Sequence, residues 1–124
     1  MAEKIEFSLE RAEIEVDLTD PKTGITTTYY LIELDGKGRD AYLTNISGRL
    51  VPGKDGGAQT VKNFDGLQSA LLSRVLFVQD GDKRKPVTDQ TIQAWPARVQ
   101  TALFEKARDM NGLNEDAEEQ AGND

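Results

Sequence analysis

The sequence predicts an α+β domain in which an N-terminal antiparallel β-hairpin or small sheet is followed by C-terminal helices, and three observations carry that prediction. Apolar and polar residues alternate with period two before residue 34, an apolar stripe of helical period runs through residues 96–110, and glycine and proline punctuate the chain between them. A chain of 124 residues has room for about one core. We read residues 1–112 as a single domain, strand-rich over 4–34 and helical over 65–78 and 88–111, with a flexible glycine-rich loop at 47–63 and an acidic, disordered tail at 113–124.

Ile5, Phe7 and Leu9 alternate with Glu6, Ser8 and Glu10, and Ile14, Val16 and Leu18 alternate with Glu13, Glu15 and Asp17. Both runs have the signature of half-buried strands. The apolar parity switches near Glu10 and Arg11, so a bulge, bend or crossing belongs there if both runs face one core. Asp20-Pro21-Lys22-Thr23-Gly24 is a turn, because proline presets φ, aspartate bonds its own backbone and glycine accepts positive φ. Residues 25–34, rich in β-branched and aromatic types, return as the antiparallel partner of residues 11–19, with Tyr29 and Tyr30 on opposite faces.

Residues 39–46 make about two helical turns capped by Asp35, with Tyr42, Leu43 and Ile46 on one side. Gly36-Lys37-Gly38 lacks the spacing of a phosphate loop. Residues 47–63 hold four glycines and one proline, the composition of a long, weakly ordered connection. Asp65 and Gln68 have capping-box spacing, and Leu67, Ala70, Leu71, Val75 and Val78 then repeat at helical intervals. Leu72, Leu76 and Phe77 lie off that stripe, so either the helix is apolar on more than one face or its end turns into strand over 75–78. Asp80 to Pro86 is a charged turn carrying the basic triplet Lys83, Arg84 and Lys85, and the glutamate that a calcium loop requires at its twelfth position is Thr91.

Thr88 and Asp89 suit an N-cap ahead of a short turn, and Pro96 suits the first position of a longer helix, with a bend at Trp95. Val99, Ala102, Leu103, Lys106, Ala107 and Met110 share one face of that helix, and Asn111-Gly112 suits its end.

The chain has no cysteine and no histidine, which rules out disulfides, thiolate metal sites and Ser-His-Asp or Cys-His catalysis. We expect no enzyme activity, cofactor or metal. Only carboxylate, lysine or tyrosine chemistry remains; an enzyme would have to use carboxylate pairs such as Asp80 with Asp82, or Glu13 with Glu15, and on strands such pairs more simply keep an edge soluble. The net charge of −7 opposes nucleic-acid and anionic-membrane binding. Residues 113–124 hold five acidic residues and no basic one, so residues 1–112 carry only −2 of that total. No apolar run has the length of a signal peptide or a membrane span.

Leu34, Gly36, Arg39, Asp40, Tyr42 and Leu43 form an L-x-G-x-x-R-D-x-Y-L segment. Trp95, Pro96, Val99, Leu103, Phe104, Ala107, Asn111, Gly112 and Leu113 form a W-P-x-x-V-x-x-x-L-F-x-x-A-x-x-x-N-G-L segment. With these the chain resembles, over most of residues 5–114, the small tail assembly chaperones of long-tailed bacteriophages. The resemblance implies a non-enzymatic protein of the host cytoplasm that keeps the apolar, helical tape-measure protein soluble and helps tail-tube subunits assemble around it. On that reading copies associate through Leu67, Leu71, Leu72, Val99, Leu103 and Phe104, and the remaining surface receives client helices. The rival expectation is a permanent virion part, a tail-tube or head-to-tail joining subunit.

Overall fold

In this computed structural model, residues 3–51, 60–61 and 64–113 are described. The element order is β1 (Glu13–Asp20), β2 (Ile25–Ile32), α1 (Gly36–Ser47), β3 (Leu50–Val51), β4 (Thr60–Val61), α2 (Leu67–Val75), β5 (Leu76–Asp80), β6 (Lys83–Pro86), α3 (Asp89–Gln93) and α4 (Ala97–Met110). An antiparallel sheet of order β1-β2-β5-β6 carries the helices on one face, so the fold is α+β. The residue pairs Leu50 with Val61 and Val51 with Thr60 form a separate two-stranded ladder. The rest of the glycine-rich loop and the acidic tail beyond Leu113 lie outside the described residues.

The β1-β2 hairpin pairs Glu13 with Ile32 through to Asp20 with Ile25. Its turn is closed by Gly24 N–H donating to the Asp20 carbonyl at 2.7 Å, and Lys22 N–H donates to the Asp20 side chain at 2.9 Å. The pleat then sends Ile14, Val16, Leu18, Tyr29, Leu31, Leu76 and Val78 towards the helices. Asp35 caps α1 as expected, its Oδ1 accepting from Gly38 N–H at 2.7 Å.

Several expectations need correction. The run Ile5, Phe7, Leu9 is not a strand: residues 3–12 have no regular structure, and these three side chains are 67%, 87% and 98% exposed. The cause lies in the partner strand. Glu33 N–H still donates to the Ala12 carbonyl at 2.9 Å, but the chain leaves the sheet after residue 33 to cap α1, so β2 offers residues before Arg11 nothing to pair with. Asp65 does not cap α2. That helix starts at Leu67 behind Gly66, whose φ of 71° belongs to the left-handed region that glycine enters freely. Gln68 does not reach back to close a capping box; its Oε1 accepts instead from Thr101 Oγ1 on α4 at 3.3 Å. Residues 83–86 are strand β6 and not part of the turn. Pro96 is the N-cap of α4 and not its first residue, its carbonyl accepting from Val99 and Gln100 N–H.

The α4 stripe is also rotated from the expected one, since Ala102 and Lys106 are exposed while Phe104 is buried alongside Leu103 and Ala107. At its C-terminus Leu113 N–H donates to the Arg108 carbonyl at 2.8 Å and Gly112 N–H to that of Asp109 at 3.3 Å, a Schellman arrangement that requires the φ of 65° at Gly112. Leu113 is fully buried beneath it.

Candidate functional site

The six residues expected to form a self-association surface are placed first by their burial. Leu71 and Leu72 are fully buried, and Leu103 and Phe104 are 6% and 7% exposed, all within the core of the single chain. Leu67 and Val99 are half-buried against that core. The two-faced apolar helix therefore satisfies both faces within one subunit: α2 is wedged among α1, α3, α4 and the sheet. The expectation that these side chains stand on the surface is corrected, and four of them have almost no area to offer a partner.

The segments that carry the family resemblance meet each other. Leu34 N–H donates to Asn111 Oδ1 at 2.8 Å across 77 residues, while Asn111 Nδ2–H donates to the Ala107 carbonyl at 2.8 Å. Trp95 lies edge-on to Tyr29 with ring centroids 5.3 Å apart, which fixes the bend between α3 and α4 against the sheet. Burial raises the Tyr29 phenol above its ordinary pKa of 10.0. These residues hold the fold together.

A groove of about 610 Å³ lies between α2, α3 and the end of α1, lined by Asn45, Arg49, Asp65, Ser73, Arg74 and Gln93 among others. Much of its polar wall is engaged with itself. Arg49 donates to Asn45 Oδ1 and to the Asp65 carbonyl, both at 2.8 Å, and Gln93 Nε2 donates to Ser69 Oγ and Asp89 Oδ1, both at 3.0 Å. The groove is wide and its interactions are those of a joint. Among the described residues no three acidic side chains converge as metal ligands would.

Besides the exposed Ile5, Phe7, Leu9, Ile25 and Phe64, apolar surface remains on the strands. Tyr30, Ile32 and Phe77 point away from the helices, half-buried on a sheet face that no described element covers. Tyr30 stands opposite Phe77 across the β2-β5 ladder. The Arg84 guanidinium lies 3.8 Å over the Tyr30 ring and ion-pairs with Glu13, both groups about one-third exposed. Of the basic triplet, Arg84 thus serves this outer face, and Lys85 sits 3.8 Å from Asp80 on the other. Of the carboxylates considered for acid–base work, Asp80 and Glu13 have these cationic partners and Glu15 lines the exposed outer face. The signal for the open face was present in the sequence: Phe77 fell off the helical stripe, and strand parity sets it beside Tyr30.

No described helix is long and apolar enough to cross a membrane. Comparison with protein-family models, with curated proteins and with solved structures returns no match for this chain.

Proposed function

We propose that this chain is a non-enzymatic assembly chaperone of a long-tailed bacteriophage, acting in the host cytoplasm, that holds the tape-measure protein and promotes assembly of the tail tube. The observation that carries this reading is the apolar surface left uncovered once the core is closed: the outer face around Tyr30, Ile32 and Phe77, and the exposed run Ile5, Phe7 and Leu9. Support also comes from the Leu34–Asn111 hydrogen bond, which joins the two segments of the resemblance into one structural unit. The lack of histidine and cysteine fits a binding role. The client rests on the outer sheet face, with Arg84 contacting acidic side chains that flank the client's apolar stripe.

Co-expression tests this. Tape-measure protein made with this chain is expected in the soluble fraction as a complex, and Tyr30→Ser with Phe77→Ser abolishes that effect. Equal insolubility with and without the chain contradicts it. The second reading, a permanent tail-tube or joining subunit, is favoured by the exposed N-terminal segment, which suits subunits that link into rings. Recovery of the chain in stoichiometric amount from purified particles decides for that reading.

A further inference from the structure

We propose that residues 5–9 of one copy add as a fifth strand along the free edge of β6 of a second copy. The inference concerns self-association alone and stands whatever the client is. Three apolar side chains in strict alternation, 67–98% exposed, have the pattern of a strand but no sheet to pair with. β6 ends the sheet, and among the described residues no strand pairs with it on the side away from β5. Val87 N–H donates to the Leu76 carbonyl, so the antiparallel alternation turns the main-chain groups of Lys83 and Lys85 towards β5 and those of Arg84 outward. Pro86 lacks only an N–H that would face outward as well.

Charge and parity select the same pairing. Arg84 and Pro86 lie on the outer face with Phe77, while Lys83 and Lys85 lie on the other. An arm that sets Ile5, Phe7 and Leu9 on the outer side continues the apolar face and brings Ser8 opposite one lysine, Glu6 or Glu10 opposite the other, and the second glutamate onto a diagonal. A one-residue slip opposes apolar side chains to lysines. The other edge, β1, presents Glu13, Glu15 and Asp17 and would repel the same glutamates. The basic edge equally discourages β6 from pairing with its own kind, so it admits an acidic strand and little else.

Reach excludes the chain's own arm. Arg11 Nε–H donates to the Glu33 carbonyl at 2.7 Å and Ala12 N–H to Glu33 Oε1 at 3.0 Å, which anchors the arm at the β1-β2 edge. From Arg11 to Leu9 is two residues, about 7 Å of chain, whereas a strand outside β6 lies four strand spacings from β1, about 19 Å away. A second copy must supply the strand.

The chain contains no cysteine, so single replacements report cleanly. Under oxidation, Ser8→Cys copies mixed with Lys83→Cys or Lys85→Cys copies are expected to yield a crosslinked heterodimer, absent from Ser8→Cys mixed with Thr19→Cys. In sedimentation of the full chain, Ile5→Ser with Phe7→Ser and Leu9→Ser weakens self-association about 100-fold with an unchanged unfolding midpoint. Lys83→Glu with Lys85→Glu weakens it similarly, and adding Glu6→Lys with Glu10→Lys restores it. A wild-type chain that stays monomeric at high concentration overturns the proposal, as does association untouched by the serine replacements. A chain carrying Ser8→Cys and Lys85→Cys that closes on itself overturns it too.

Discussion

The two faces of the sheet share strands and differ in everything else. Towards the helices, Leu31, Leu76 and Val87 join Leu71, Leu72, Val75 and Leu103 in a core with almost no exposed area. Away from them, Tyr30, Ile32 and Phe77 are half-buried beside one another and their cross-strand neighbours Glu15, Glu13 and Pro86, with the Arg84 guanidinium over Tyr30. The contrast teaches that apolar residues in excess of one stripe do not by themselves make a binding surface. On α2 the excess is absorbed because α1, α3, α4 and the sheet surround the helix, whereas no described element lies against the outer face of β2 and β5.

Substitutions on the two sides should separate stability from binding. The largest effect is expected from Leu72→Ala, which removes a fully buried side chain and costs about 2–5 kcal/mol of unfolding free energy in urea titration followed by the single Trp95. A cost below about 1 kcal/mol would place Leu72 at the surface after all. Next, Asn111→Ala leaves the partly buried Leu34 N–H without its acceptor and costs about 1–3 kcal/mol in the same titration. Gly112→Ala follows at about 1–2 kcal/mol, for backbone strain alone, because open space surrounds the position.

On the open side, Tyr30→Ser or Phe77→Ser is expected to shift the midpoint by little while removing the proposed client capture, which thermal melts and co-purification report together. The smallest effect concerns pH. The Tyr29 pKa is raised by burial, so its contribution is complete below pH 10.0 and is lost as pH rises through the folded value. Alkaline titration of Tyr29→Phe should show a shallower fall in stability than wild type above that pH.

Much of this was legible in residue order. The 20–24 turn and the Asp35 cap rest on short-range chemistry, in which a side chain bonds a backbone group a few residues away, and the Asn111-Gly112 stop rests on the positive φ of glycine. Periodicity left open whether the helix over 65–78 was apolar on more than one face or turned into strand at its end; α2 stops at Val75 and β5 begins at Leu76, so the helix is shorter than expected. Long-range competition was not legible. Gln68 was free in sequence to cap its own helix, but Thr101 engages it; Ile5, Phe7 and Leu9 alternate as a strand should, but β2 ends before it can pair with them. The burial of Leu103 and Phe104 likewise depends on α4 lying against α2. Tertiary neighbours settle such cases, and spacing along one chain does not contain them.

Side-chain oxidation footprinting of the wild-type chain, alone and with the tape-measure protein, most directly tests whether the spare apolar surface belongs to the strands. We expect Phe7, Tyr30 and Phe77 to be labelled in the free chain, with Tyr30 and Phe77 protected in the complex, and Leu72, Leu103 and Phe104 to be unlabelled in both. Labelling of Leu103 and Phe104 in the free chain, and its loss on binding, would contradict the closed helical side and return the client to the helices.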